Sequence, residues 1–259
     1  MKIKVLGCYG NNLQKNHTTS LLINKTIAID AGALTSSLSL KEQIVIDHIL
    51  ITHSHLDHIH ELAFLGDNII NRKDDPIKII GEKRTLNALS NHYFNGIIWP
   101  DFTQIPSKEN PVFEYQEISP NEEFKINGLE FKALRSSHTV PSLSFVIRDY
   151  KNSVVHVTDT GNSDDIWNEI NKEENLKAIF LETSFPNEMK ELAKASKHLT
   201  PYGMMEELKK INKKEMNIDV YIYHLKPIYL TKLTHQIEKL KMKGFNIKLM
   251  KQDEIISYV

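Results

Sequence analysis

A single cysteine, Cys8, leaves this chain no partner for an internal disulfide, as expected of a protein kept in a reducing cytosol. Long apolar runs are missing too: the longest, such as residues 178–181, stop far short of the ~20 positions a membrane span requires. The opening MKIKVLGCYGNN lacks the apolar stretch of a secretory signal. A cytoplasmic location and no membrane partner are therefore expected. Glycine and proline are scarce, 10 and 9 in 259 residues, and no low-complexity tract occurs, which excludes collagen-like and disordered chains. Charge of one sign is absent as well. With 32 Lys and Arg against 33 Asp and Glu the formal net charge is −1, so no basic field gathers a large nucleic acid. What remains, 41% hydrophobic and 25% charged, is the composition of a globular chain long enough for one substantial α/β core.

Residues 2–8, 19–23 and 26–30 are rich in Ile, Leu and Val and read as a β-meander ended by the Ala31-Gly32 turn. Alternation follows: an amphipathic helix over 36–46, a strand at 48–52, a helix near 57–70, a strand at 77–80 and a helix at 83–94. Residues 95–110, with Pro100 and Pro106, read as a long irregular connection. A second β-rich run covers 112–118, 123–126, 129–136, 143–148 and 154–158, with a hairpin signal at Asn127-Gly128. Helices near 164–171, 187–195, 202–211 and 231–242 then alternate with strands at 178–181, 220–223 and 246–249. Two β-rich halves, each followed by helical crossovers and joined without a Pro/Gly/Ser-rich linker, predict one domain over 1–259. Its two mixed sheets pack face to face with helices outside.

The residue in excess is histidine, 12 in all. Four of them fall within residues 53–60, where Thr52-His53-Ser54-His55-Leu56-Asp57-His58 leaves a strand and enters a helix. Side chains two apart in an extended chain project the same way, so His53 and His55 can share a cation. Asp57 and His58, at the turn into the helix, aim elsewhere and can reach a second. Imidazole with carboxylate suits zinc or a comparable first-row metal, whereas calcium takes oxygen ligands. Two histidines alone would read as a solvated strand end; three with an aspartate in one short loop favour a metal site. Further ligands are expected at other strand ends beside turn residues, which selects His138, Asp159 and His224. Taken singly, each is as readily a cap or a surface residue. Zinc is the expected ion, with manganese and iron permitted by the same ligand types.

Asp30 in TIAIDAG, the His53-x-His55-x-Asp57-His58 cluster, His138, Asp159 and His224 together resemble the metallo-β-lactamase superfamily in order and in strand-end context. More narrowly, HSHLDHI, SSHTVPS, VTDTG, LETSFPN, SKHLTP and YHLKP resemble its class II 3′,5′-cyclic-nucleotide phosphodiesterases. The resemblance implies a four-layer αβ/βα sandwich with two divalent metal ions. It places His53, His55 and His138 on one metal and Asp57, His58 and His224 on the other, with Asp159 bridging. Asp30 would orient ligands from behind. A homodimer would be in keeping with the family. Where many members carry glycines after the cluster this chain has Ile59-His60-Glu61, which argues against a lactamase or thioesterase. His55 stands where the diiron branch carries glutamate, which argues against oxygen chemistry.

The reaction these features suggest is hydrolysis of a small cyclic nucleotide, cAMP or cGMP, by a hydroxide bridging the metals, with Asp57, Asp159 and His198 as the catalytic set. Two metals would lower the pKa of bound water toward ~7, and the departing ribose oxygen needs a proton. His198 in Ser196-Lys-His-Leu-Thr200 matches the histidine that phosphodiesterase branches place between the bridging aspartate and the last ligand. It also reads as a residue before a helix capped by Thr200 with Pro201 first. Thr139, Pro141, Ser142, Ser184 and Phe185 are expected to shape the substrate pocket, and Phe64, Trp99 and Phe102 are further candidates for a base shelf. Glu182 lies on the same strand-end loop as Ser184. Rival readings are a tRNA 3′-processing endonuclease, a thioester or lactone hydrolase, and a non-catalytic nucleotide sensor.

Overall fold

The computed structural model describes residues 1–212 and 217–258, so residues 213–216 and 259 of the expected 1–259 domain lie outside the described residues. Its strands are β1 (Lys2–Gly7), β2 (Ser20–Ile23), β3 (Ile27–Ile29), β4 (His48–Leu50), β5 (Ile77–Gly81), β6 (Phe113–Glu117), β7 (Glu123–Ile126), β8 (Leu129–Arg135), β9 (Leu143–Arg148), β10 (Ser153–Val157), β11 (Leu176–Glu182), β12 (Ile218–Tyr223), β13 (Phe245–Leu249) and β14 (Ile255–Ser257). They form two seven-stranded sheets, ordered β14-β1-β2-β3-β4-β5-β6 and β13-β12-β11-β10-β9-β8-β7. This is the four-layer αβ/βα sandwich of the metallo-β-lactamase type.

Period-two alternation of apolar residues builds the layers, because successive side chains leave a strand on opposite faces. Val5, Leu50 and Phe180 point between the sheets and meet Phe131, Phe145 and Tyr223. Their neighbours Leu6, Ile49 and Ile179 point outward into two separate helical layers. On the first sheet that layer contains α1 (Leu34–Ser37), α2 (Leu40–Ile44), α3 (Leu56–Ile59), α4 (Leu62–Ile69) and α5 (Lys83–Ala88). On the second it contains α6 (Asp165–Ile170), α7 (Lys190–Ser196), α8 (Pro201–Leu208) and α9 (Leu230–Glu238). The long helices expected over 36–46 and 57–70 are each broken into two short ones, and the one over 83–94 widens into a π-helical turn at Leu89–Tyr93. Strand β14 lacks any clear sequence signal, since only Ile256 of its three residues is buried. Among the described residues no helix is long and apolar enough to cross a membrane.

Direction places the site. Strands β3, β4 and β5 run parallel, as do β10, β11 and β12, and β8 joins the latter set through the antiparallel β9. Their carboxyl ends therefore share one edge of each sheet, where open α/β folds place their ligands. Away from that edge, Glu207 is buried beneath α6. Its Oε2 accepts from Trp167 Nε1 at 2.5 Å, Ser163 N at 3.1 Å and Lys210 Nζ at 3.1 Å. Glu207→Leu strands the indole N–H and is expected to lower stability by about 1–3 kcal/mol in urea unfolding. An unchanged midpoint and slope would show that the indole finds another acceptor.

Candidate metal centre

Every predicted ligand reaches one cluster. His53, His55, Asp57 and His58 occupy the segment after β4; His138 follows β8, Asp159 follows β10 and His224 follows β12. His53 Nε2 lies 3.1 Å from His55 Nδ1, which lies 3.2 Å from His138 Nε2; Asp159 Oδ2 is 3.6 Å and 3.9 Å from the two Nε2 atoms. On the other side His224 Nε2 is 3.3 Å from His58 Nε2 and 3.2 Å from Asp57 Oδ2. Asp159 faces both groups, with Oδ2 3.4 Å from His58 Nε2 and Oδ1 3.3 Å from His224 Nε2. Donors around a tetrahedral ion held at ~2.0–2.1 Å stand ~3.3 Å apart, so these separations are those of ligand cages.

The atoms that face away from the cluster explain the orientation of each ring. His58 Nδ1 is 2.7 Å from Asp30 Oδ2, His53 Nδ1 3.0 Å from Thr52 Oγ1, and His224 Nδ1 2.8 Å from Ser184 Oγ. His138 Nδ1 donates to the Lys197 carbonyl at 3.1 Å. Holding Nδ1 in this way leaves Nε2 as a lone-pair donor, the arrangement that orients metal-binding imidazoles. Asp30 also accepts from Thr52 N at 2.8 Å and Thr52 Oγ1 at 2.9 Å, so it fixes the start of the histidine segment as well as His58.

Charge makes the same case. Asp30, Asp57 and Asp159 meet here, and the ion pairs described for them are all with histidines. Burial, with help from neighbouring imidazoles, holds His53 well below the usual histidine range, and burial brings His138 down to about 4. His58 moves the other way: burial opposes its charge, but the Asp30, Asp159 and Asp57 carboxylates outweigh it. The three carboxylates thus draw positive charge into the pocket. Asp159 Oδ1 is buried and accepts no hydrogen bond, which leaves its lone pairs available. Divalent cations fit this donor set.

His198 stands beside this cluster, its ring stacked 5.3 Å from that of His224 and edge-on at 5.1 Å to that of His138. Its Nδ1 lies 3.3 Å from Glu182 Oε1 and 3.1 Å from Ser184 Oγ. Burial disfavours its charge, yet Glu182 and Asp159 outweigh burial and raise its pKa. His198 can also group with Asp159 and His224 at ligand distance, but its Nδ1 is already committed to Glu182. Glu182, placed on this loop by sequence but given no role, is fully buried and accepts from Leu199 N at 2.9 Å and Ser184 Oγ at 2.9 Å. Lys197, in a left-handed conformation at φ 52°, donates from Nζ to the His138 carbonyl at 3.0 Å and was not singled out by sequence.

Among the expected pocket residues, Thr139 is exposed and Pro141 half-buried, while Ser142 and Ser184 are fully buried. Buried serines cannot line an open wall; Ser184 orients His224 instead. Phe185 packs 5.7 Å from the His198 ring. Phe102 is core, wedged against Phe94 and Phe113, and offers no shelf; Trp99 meets the exposed Phe64 edge-on at 5.8 Å. His156 is core too, its Nε2 3.0 Å from Tyr223 OH.

Fold and site together define a metallo-β-lactamase-type sandwich with a histidine and aspartate centre suited to divalent metal. The chain belongs to that superfamily: the family described as "Beta-lactamase superfamily domain" matches residues 26–218. It is 28% identical over 206 residues to a probable 3′,5′-cyclic-nucleotide phosphodiesterase of Yersinia pestis, covering 71% of this chain and 58% of that protein. It is 23% identical over 294 residues to the cAMP/cGMP-dependent 3′,5′-cAMP/cGMP phosphodiesterase 7 of Dictyostelium discoideum, covering 92% and 68%. The chain thus spans about three fifths of the Yersinia protein's length. Among solved structures it resembles unliganded yeast PDE1, with a TM-score of 0.82 and 20% identity over 98% of both chains.

Two substitutions probe the geometry. Asp30→Ala releases His58 Nδ1 and two Thr52 donors, and metal affinity is expected to fall about 10–100-fold in a chelator-competition titration. Unaltered affinity would mean that His58 needs no orienting partner. A Cβ on Gly10 would lie 2.6 Å from both His224 Nδ1 and its carbonyl oxygen. Gly10→Ala is therefore expected to displace His224 and reduce metal content in elemental analysis, and full occupancy would show that the loop yields instead.

Proposed function

We propose that this chain is a metal-dependent phosphodiesterase that hydrolyses 3′,5′-cyclic nucleotides to 5′-nucleotides. The observation that carries the reading is the Glu182–His198 pair beside two ligand cages. His53, His55 and His138 would hold one ion, Asp57, His58 and His224 the other, and Asp159 would serve both; zinc suits the donors, as do manganese and iron. When bound, such ions polarise phosphoryl oxygens and lower the pKa of water toward ~7. The chain's own part is orientation and proton transfer. Glu182 and Ser184 hold His198 at Nδ1, which leaves Nε2 to give its proton to the ribose 3′ oxygen as the P–O3′ bond breaks. The phosphoryl group stays on the 5′ oxygen, and the product is a 5′-nucleotide.

The names of the Yersinia, Dictyostelium and yeast relatives support this substrate class. A pre-tRNA substrate is less well suited to a net charge of −1, and a thioester or lactone gives His198 no proton to deliver. A sensor would not need the donor. We infer one structural unit acting in the cytoplasm.

The decisive comparison is metal-loaded protein on cAMP, cGMP, bis(p-nitrophenyl) phosphate, a thioester and pre-tRNA; turnover of the last two alone overturns the reading. His198→Ala is expected to slow cyclic-nucleotide hydrolysis about 10²–10⁴-fold while sparing p-nitrophenyl esters, whose leaving group needs no proton. Equal losses on both would remove the donor assignment.

A further inference from the structure

A cleft of about 470 Å³ runs alongside the metal centre, with His198 in its wall. Two more wall residues, Ser137 and Gly161, belong to the loops that carry His138 and Asp159. These loops are tied together: Gly161 N donates to Ser137 O at 2.7 Å, and the Lys197 and His138 backbones are clamped in both directions by their side chains. The cleft wall and the metal centre are thus one laced structure.

The proposed reaction fixes where the rest of the substrate lies. A proton donor must come within ~2.6–3.2 Å of the oxygen it protonates, and the departing 3′ oxygen remains on the ribose. The nucleoside must therefore sit within a few ångströms of His198, on the side of the departing oxygen. We propose that this cleft is the nucleoside subsite, in which the base lies against the ring of Tyr202. The inference rests on the phosphodiesterase reading and adds to it the place where the base is held.

The chemistry of the walls fits a nucleoside better than a small anion alone. Ala193 and Leu199 supply apolar surface, and Tyr202, 67% exposed, presents an aromatic ring without a role in the core. Bases stack on such rings with little regard to sequence. Lys190, Lys194 and Lys197 line the same cleft and give its rim a positive field toward a phosphorylated ligand. Glu206, also in the wall, is paired with Lys209 Nζ at 2.5 Å, so its charge is engaged. The volume lies within the ~300–1,000 Å³ of small-molecule sites.

The test uses the metal-loaded full chain. Tyr202→Ala is expected to raise KM for 3′,5′-cAMP about tenfold with kcat nearly unchanged, and to raise it less for bis(p-nitrophenyl) phosphate, which has no nucleoside to place. Tyr202→Phe, which keeps the ring, should restore KM. Calorimetric titration with 5′-AMP should weaken by the same factor in Tyr202→Ala. An unchanged KM for 3′,5′-cAMP overturns the subsite. If wild-type protein hydrolyses the ester but no cyclic nucleotide, the phosphodiesterase reading for that class fails. The 5′-AMP titration then decides the cleft alone: binding weakened by Tyr202→Ala retains it, and absent or unaltered binding removes it.

Discussion

The arrangement depends on burying three carboxylates and a group of imidazoles at the same edge of two packed sheets. The carboxylates are not tolerable alone, since a buried unpaired charge costs several kcal/mol. Asp30 and His58 at 2.7 Å illustrate the mutual requirement. The carboxylate needs the ring's proton on Nδ1, and meeting that need turns Nε2 toward Asp159 and His224. The histidine segment, Asp159 and His224 are fixed by this one logic, and the donor set they form suits a divalent cation.

Three of the ten described non-glycine residues with positive φ stand at the same edge. Asp30 and His224 have φ of 58° and 63°, and Lys197 has 52°, all in the left-handed region that non-glycine residues adopt at a cost of ~1–3 kcal/mol each. Asp30 and His224 lie just past the ends of β3 and β12 and have hydrogen-bonded side chains; Lys197 caps α7 with its side chain on His138. The inter-sheet aromatic core, with Phe131, Phe145 and Phe180 fully buried, supplies the rigidity against which such conformations persist.

Much of this was legible in the sequence, for physical reasons. The ligands stand at strand ends next to turn residues, and the strands themselves declare their period, so topology and donor set followed from local pattern. Helix lengths did not. An apolar spacing that continues across Ile59-His60-Glu61 cannot reveal that Glu61 turns inward, where its Oε2 accepts from Thr35 N at 2.6 Å and Ser36 N at 3.1 Å. The role of Glu182 was hidden because a buried carboxylate is written with the same letter as a solvated one. Its partners are Leu199 N, 17 residues on, and His198, and no local spacing marks either. Ser142 and Ser184 look like pocket residues by position, yet both are fully buried, and Ser184 is held against His224 and His198.

Ser184 ties the proposed donor to the proposed ligand. A hydroxyl has one proton to give and two lone pairs with which to accept. Its proton goes to Glu182 Oε2 at 2.9 Å, so toward His224 at 2.8 Å and His198 at 3.1 Å it can only accept. Both rings are thereby obliged to carry their hydrogen on Nδ1. For His224 that leaves bare the Nε2 that faces Asp57, His58 and Asp159, the state a cation would need, while in the proposed reaction His198 Nε2 would bear the proton that a departing alkoxide requires. One buried carboxylate, acting through one hydroxyl, thus assigns different tasks to two stacked imidazoles 5.3 Å apart. The difference between them is position: His224 has its Nε2 among Asp57, His58 and Asp159, and His198 lines the cleft.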